Sequence, residues 1–319
     1  MYKLNSNKKS ITLDLLILNY NKFEEYGRAC IQSLLDQDLD DSTKIVVLDN
    51  NSTDGSREKI TNFLENNRRV EFFQSEINLG FAGGMNYLAN KTKGDWLLLI
   101  NNDTYFPEDS INQFKDILEK TPEYIGALGP ITNAAGNEQN INLSGTFEKI
   151  LSEQQEIIKN KLNMLFDVPR LDFFCVAIKR SVWNALNGLD EIYERGYYED
   201  FDFCVRLANA GFKMAITEDV FVYHKGSGVF SEDKNQRRLI KKNKEIFTKR
   251  YPKQKLYHVR ENNLEMIKKY HLLELMDLTY KNLILVRKER RNNFLINNMP
   301  KSLLKKYLWK FKIKNVIKN

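Results

Sequence analysis

Cysteine is scarce, with three residues in a chain of 319. Cys30, Cys175 and Cys204 lie far apart and form no CxxC pair, which excludes a zinc knuckle and a disulfide-built scaffold and matches a reducing compartment. Long apolar runs are also missing. None approaches the roughly 18–20 residues of a membrane span, and the opening MYKLNSNKKS lacks the apolar core of a signal peptide. The expectation is therefore a cytoplasmic chain. There is no Walker-type phosphate loop. The glycines of segment 80–84 neither follow the first expected strand nor keep GxGxxG spacing, which argues against a dinucleotide-binding Rossmann site. No motif couples serine or cysteine to histidine as covalent catalysis would require. His224 is the only histidine before residue 231.

What is present is a soluble globular composition, 42% apolar and 29% charged, long enough for one substantial α/β domain and an appendage. Charge divides the chain. Residues 231–319 carry 25 Lys and Arg against 8 Asp and Glu, while residues 1–230 carry 24 against 34. The break places a domain boundary between 230 and 231. An acidic body with a basic tail is not the profile of a protein whose main domain grips nucleic acid.

Within the body, short apolar runs end in polar tips. Ile11–Leu18 runs into Asn19-Tyr20-Asn21, Lys44–Leu48 into the segment from Asp49 to Ser56, and Trp96–Ile100 into Asn101-Asn102-Asp103. Unbroken runs of this length suit strands buried on both faces of a mainly parallel sheet. Strand–helix alternation, with helices expected at 56–66, from the 76–86 segment to about Asn90, and at 107–125, predicts right-handed crossovers. The three tips then share one sheet edge, where ligands of such sheets collect. Asp103 has two readings there, a ligand for a hard cation or a cap for the following helix. Glycines at 80, 83 and 84 permit close backbone approach to a ligand or tight helix packing. Segment 131–168 shows a polar loop and then a charged stretch with no decisive period.

Leu171–Ile178 reads as a further strand, followed by a helix at 180–186. Then come Gly188-Leu189-Asp190-Glu191 and the run from Tyr197 to Ala208, whose apolar positions 201, 204, 205 and 208 suggest a helical face. Glu199 and Asp200 fall in its first turn. Placement against the helix dipole accounts for one acid; three in four residues, with mutually raised pKa values, would suit a general base. Short strands at 213–217 and 220–223 lead to His224-Lys225-Gly226-Ser227-Gly228, where His224 is either structural or a ligand.

Taken in order, NYN, LDNNSTDGS, NLGFAGGMN, LLLINNDT, GLDE, YYEDFDFCVRLANAGF and YHKGS resemble family 2 of the inverting glycosyltransferases over residues 11–228, nearest its rhamnosyltransferase-like branch. The resemblance implies the GT-A (nucleotide-diphospho-sugar transferase) fold, a Rossmann-like, mainly parallel mixed sheet flanked by helices. It implies that Asn19, Tyr20, Asn21 and Asp49 contact base and ribose. Asn51, Asn78, Gly80, Asn86, Asn101 and Asn102 would belong to the same nucleotide-sugar site. Asp103 would hold Mg²⁺ or Mn²⁺ with His224 as a second ligand, and Asp200 would be the base with Glu199 as fallback. Asp190, Glu191, Tyr197 and Tyr198 fall on the acceptor side. Asn101 stands where many relatives carry aspartate, which removes one carboxylate from the metal site. The implied reaction moves a sugar from dTDP-rhamnose or a UDP-sugar to a glycan or polyprenyl-linked saccharide, in cell-surface polysaccharide synthesis. A sugar-phosphate nucleotidyltransferase would want a glycine-rich loop after the first strand, and Asn19–Glu25 has no glycine. A catalytically inactive membrane-associated scaffold is the remaining alternative.

The tail reads as helices. In the last one Leu303, Leu304, Tyr307, Leu308 and Phe311 share a face, with lysines around it and Trp309 nearby. Such a helix suits an anionic membrane surface on the inner face of the cell membrane, or packs its apolar face on the body or on a second copy.

Overall fold

The computed structural model describes residues 1–226, 234–254 and 259–317. The expected boundary at 230/231 and the Ser227-Gly228 turn lie outside the described residues. The strands are β1 (Tyr2–Lys3), β2 (Leu13–Asn19), β3 (Thr43–Asp49), β4 (Val70–Gln74), β5 (Trp96–Asn101), β6 (Thr104–Tyr105), β7 (Ile125–Ile131), β8 (Met164–Val168), β9 (Cys175–Lys179), β10 (Lys213–Phe221) and β11 (Tyr223–His224). The helices are α1 (Arg28–Leu35), α2 (Ser56–Leu64), α3 (Gly80–Lys91), α4 (Ser110–Glu119), α5 (Phe147–Ile158), α6 (Arg180–Ala185), α7 (Glu199–Asn209), α8 (Lys234–Arg250), α9 (Val259–Met276), α10 (Tyr280–Asn297) and α11 (Leu303–Ile317).

One sheet runs in the order β1-β8-β10-β7-β9-β5-β2-β3-β4, and β6 and β11 form a small second sheet. The pairs β2–β3, β2–β5, β3–β4 and β7–β10 are parallel, whereas β9 lies antiparallel between β5 and β7. Alternate residues of the apolar runs enter two cores. Leu13, Leu15, Ile17, Trp96, Leu98 and Ile100 pack on one side of the sheet. Leu16, Leu97 and Leu99 pack on the other. Burial on both faces is why these runs are unbroken.

Several elements differ from the sequence expectation. β7 was not anticipated, because IGALGPI offers two glycines and a proline where strands favour branched residues. Its glycine at 129 has a packing reason: a Cβ there would stand 2.5 Å from the Gln139 amide nitrogen, which donates to the Pro130 carbonyl at 3.1 Å. The strand expected at 171–178 begins only at Cys175, the helix expected over 107–125 is Ser110–Glu119, and segment 131–168 contains α5 and β8. β10 is continuous where two short strands were expected. Its register slips between Thr217 and Phe221, where the buried polar pair Glu218-Asp219 interrupts the apolar pattern.

That pair receives the tail. Glu218 accepts from Tyr270 at 2.5 Å and from Arg291, and Arg287 lies 3.4 Å from its other oxygen. All four side chains are almost fully buried. Met266, Tyr270, Leu273 and Ile284 join the core beneath the sheet. In α11, Trp309 and Ile313 pack against Leu264, Ile267 and Leu295. Trp309 is therefore turned inward, away from the expected membrane-facing stripe. Leu303, Leu304, Tyr307, Leu308 and Phe311 form the outward face, between 58% and 85% exposed.

Candidate functional site

In-register pairing sets the site. Asn19 stands opposite Asp49, Asp49 opposite Gln74, and Leu18 opposite Asn101, so the polar tips meet at one edge. A cavity of about 430 Å³ opens there, within the roughly 300–1,000 Å³ usual for ligand pockets. Of the expected residues, Tyr20, Asn78, Gly80, Asn101, Asn102, Asp103, Tyr197, Tyr198, Glu199, Asp200 and His224 line it.

Others brace it. Asn19 is fully buried and accepts from Asn102 at 2.9 Å. Asn21, at φ 57°, accepts from the Thr53 amide, and Asn51 is likewise left-handed at φ 63°. Asp49 is fully buried. One of its oxygens accepts from the Ser52 amide at 3.2 Å and from Arg57 at 3.1 Å, and the other has no hydrogen-bond partner among the described residues. Asn86 lies off the cavity, its amide spent on the Leu189 carbonyl and on Glu191. Asp190 accepts from the Ile192 amide and pairs with Arg250 at 2.6 Å.

Asp103 and His224 are joined by the β6–β11 ladder, which pairs Thr104 with His224. Asn133 clamps the His224 backbone from both sides, donating to its carbonyl at 2.8 Å and accepting from its amide at 2.9 Å. The imidazole stacks on Phe174 with ring centres 4.9 Å apart. His224 Nδ1 lies 2.6 Å from the Ala134 carbonyl. A carbonyl only accepts, so Nδ1 carries the proton and the Nε2 lone pair faces Asp103 Oδ1 at 3.3 Å. Two acceptors so placed need a cation between them. A proton on Nε2 is one answer: burial lowers the His224 pKa, but the Asp103 carboxylate outweighs it and raises the value. A hard divalent ion is the other, and an oxygen–nitrogen pair with a backbone-anchored imidazole fits one. Among the described residues no third His, Cys, Asp or Glu completes the group, so the rest of any coordination sphere would come from ligand and water.

Glu199 and Asp200 open α7 on the cavity wall. Burial lifts Glu199 well above the ordinary carboxylate range, and the Asp200 charge adds to it. Burial also lifts Asp200, less far, because the Arg170 guanidinium offsets part of the effect while Asp172 adds to it. Asp202, the third acid, is not in the cavity. It is fully buried against Arg206, Arg250 and Tyr251. The packed face of α7 is 203, 204 and 207 rather than 201, 204, 205 and 208. Phe201 instead lines the cavity beneath Arg170, 3.9 Å from ring to guanidinium. Leu18, Asn50, Phe81, Ala135, Asp172, Phe173, Phe174, Arg195 and Gly196 complete the lining. Most come from loops with no period to betray them, although Asp172 between apolar residues was a visible polar interruption.

The architecture is that of GT-A transferases. The sequence profile of glycosyl transferase family 2 matches residues 14–184. The chain belongs to that family. An uncharacterized glycosyltransferase of Haemophilus influenzae is 25% identical over 195 residues, 61% of either chain. One of Methanocaldococcus jannaschii is 21% identical over 221 residues, 67% of this chain and 70% of that one. The match thus covers less than two thirds of the Haemophilus protein's length. Among solved structures, GalNAc-T7 with UDP, GalNAc and Mn²⁺ has a TM-score of 0.56 at 17% identity, over 78% of this chain and 51% of that one. The mannosyltransferase of Pyrobaculum calidifontis with GDP-Man and Mn²⁺ has 0.53 at 12%, over 99% and 84%. S. aureus TarS 1–349 with UDP-GlcNAc has 0.51 at 16%, over 96% and 81%. At these identities the likeness is one of fold.

The electrostatics of the acid pair give a stability test. A carboxyl with a raised folded-state pKa costs stability above that pKa, and the cost fades as pH falls towards the unfolded value. Glu199→Gln should therefore stabilise the chain by about 1–3 kcal/mol at pH 9, with the gain vanishing near pH 4. Urea unfolding of both proteins at the two pH values measures it; equal stability at pH 9 would contradict the buried, lifted carboxyl.

Proposed function

We propose that the chain transfers a sugar from a nucleoside-diphosphate sugar to an acceptor hydroxyl with inversion at the anomeric carbon. The observation that supports this most is that the Asp103–His224 pair and the Glu199–Asp200 pair line one and the same cavity. Asp103 and His224 are the residues that would hold Mg²⁺ or Mn²⁺, and such an ion would neutralise the departing diphosphate. Asn101 in place of a carboxylate leaves Asp103 as the only acid at that tip. The unpartnered oxygen of buried Asp49 is an acceptor for an N–H or O–H of the base or ribose. Tyr20, Asn78 and Gly80 line the cavity.

Asp200 is the base. It lines the cavity together with Phe173, Phe201 and the Tyr197-Tyr198 turn, which we take as the acceptor side. Its lifted pKa brings its proton affinity closer to that of a useful base at neutral pH. It takes the hydroxyl proton as the oxygen attacks the anomeric carbon from the face opposite the diphosphate. No enzyme nucleophile is needed. Glu199, held neutral more strongly, keeps a second negative charge away from the attacking oxygen.

The donor candidates are dTDP-rhamnose, supported by the motif resemblance, and UDP- or GDP-sugars, the ligands of the structural neighbours. The acceptor we infer is a glycan or polyprenyl-linked saccharide in cell-surface polysaccharide synthesis. Membrane contact through α11 on the inner face of the cell membrane is part of this reading. No helix among the described residues is long and apolar enough to cross a membrane. Leu303, Leu304, Tyr307, Leu308 and Phe311 nevertheless face outward among Lys301, Lys305, Lys306 and Lys310. Each such cation is worth about 1 kcal/mol near an anionic surface. The acidic body and the basic tail read in the same way, as a catalytic unit of residues 1–230 followed by a helical extension.

Asp200→Asn should lower turnover of the donor on the order of 10²–10⁴-fold with donor affinity retained; unchanged turnover would remove Asp200 as base. Sedimentation with phosphatidylglycerol-containing vesicles should pellet the full chain. Leu304→Asp with Leu308→Asp should leave it in the supernatant, as should pure phosphatidylcholine. Equal pelleting of wild type and double variant would place any membrane contact elsewhere.

A further inference from the structure

The segment that delivers Glu199 and Asp200 is among the most strained in the chain. Glu194 (φ 55°), Tyr197 (φ 70°) and Tyr198 (φ 78°) are all left-handed, and Gly196 sits at φ 142°. Two consecutive bulky residues in that region cost about 1–3 kcal/mol each and persist only where surrounding contacts fix them. Against residue 194 itself α3 supplies shape, since a Cβ on Gly80 would stand 2.1 Å from the Glu194 carbonyl oxygen, while its hydrogen bonds to this stretch reach Leu189 and Glu191 upstream.

The fixing contacts come from α8, the first helix of the tail. Asn243 is fully buried, and its amide nitrogen converges on three carbonyls, those of Tyr193 (2.8 Å), Gly196 (2.8 Å) and Tyr197 (3.1 Å). The opposite amide orientation would turn an oxygen on three oxygens, so the donor assignment is forced. Further along the helix, Arg250 bridges Asp190 at 2.6 Å and Asp202 at 2.8 Å. Tyr251 donates to Asp202 at 2.8 Å. Gln236 donates to the Tyr197 hydroxyl, and Lys242 pairs with Glu194. Arg206 ties Asp202 back to the Leu186 and Gly188 carbonyls. The strap thus grips both the loop and the first turn of α7.

We propose that Asn243 is a positioning residue for the transfer reaction: by holding the 193–197 carbonyls it fixes the strained turn and so the placement of Asp200 against the acceptor. This rests on the reading of Asp200 as base. The donor contacts on the tips of β2, β3 and β5 lie on other elements, so the loss of Asn243 acts on turnover and not on donor binding. The tail is then part of the catalytic unit as well as an appendage to it.

The test uses the full chain as wild type, Asn243→Ala, Asn243→Asp, and the control Leu264→Ala, which opens a cavity in the tail core away from the strap. Hydrogen–deuterium exchange needs no substrate. In both Asn243 variants amides of 190–202 should exchange about ten-fold faster or more, with strands β2 and β5 unchanged, whereas Leu264→Ala should leave 190–202 protected. With whichever of UDP-GlcNAc, GDP-mannose or dTDP-rhamnose the wild type hydrolyses, kcat should fall on the order of 100-fold at a donor KM within about two-fold, and Leu264→Ala should keep its kcat at temperatures below its unfolding. Protection of 190–202 unchanged in Asn243→Ala, or a kcat retained as in the control, or a donor KM that rises as much as kcat falls, overturns the proposal. Asp200→Asn separates the two readings. If it stays active, the base assignment fails. If it is inactive while Asn243→Ala is fully active, only the positioning role fails.

Discussion

The site depends on the in-register pairing of three parallel strands. β2, β3 and β5 end within one residue of one another, and a one-residue slip would send each side chain to the opposite core and draw a polar tip residue into the apolar layer. This register sets Asn19 beside Asp49 and Asn101 beside Leu18, and the chain then turns so that Asp103 precedes the small β6–β11 ladder. The pairing that stabilises the sheet also sets where the acids and amides point. The His224 tautomer follows from the same geometry, since the strand that carries it places Nδ1 on the Ala134 carbonyl.

A second constraint operates on the Glu199–Asp200 part of the cavity. α7 begins from a strained turn rather than from a strand end, so its placement is not inherited from the sheet. It is held by side chains from α3, α7 itself and α8. The remaining tail helices are anchored separately, through Arg287, Arg291 and Tyr270 on buried Glu218. A charge group without exposure is costly to break, since removing one partner leaves the others unpaired in a dry site. The split between acidic body and basic tail visible in composition therefore coincides with close packing: some of the tail's cations neutralise acids buried in or against the body.

Much of this was legible in the sequence where chemistry and period agree. Apolar runs followed by Asn and Asp gave the parallel strands and their shared edge, while the GT-A architecture was implied by the resemblance of the ordered motifs. The paired acids at 199 and 200 stood out for the same reason, as charge at the start of a helical pattern. β7 was not legible, because its glycines and proline serve close packing against Gln139 and not strand propensity. Phe201 was assigned to the packed face of α7, although it lines the cavity under Arg170. Trp309 was noted beside the apolar stripe of the last helix with no direction assigned, and α11, with apolar residues on two sides, turns its ring to the core. Arg170, Asp172 and Phe174 come from a loop, where side-chain direction is set by tertiary contacts that no local pattern encodes. Asn243 lies in a run of lysines, and only the three carbonyls facing it reveal what it does.

The account's central claim is that the strand tips with Asp103 and His224 form a nucleotide-sugar site. Calorimetric titration of UDP-GlcNAc, GDP-mannose and dTDP-rhamnose into the full chain with Mn²⁺ present tests it most directly, alongside His224→Ala and Asp103→Ala. The account predicts that at least one of the three binds, more tightly with Mn²⁺ than without, and that both substitutions remove the Mn²⁺ effect. Failure of all three to bind in the presence of Mn²⁺, or binding unaltered by both substitutions, would contradict it.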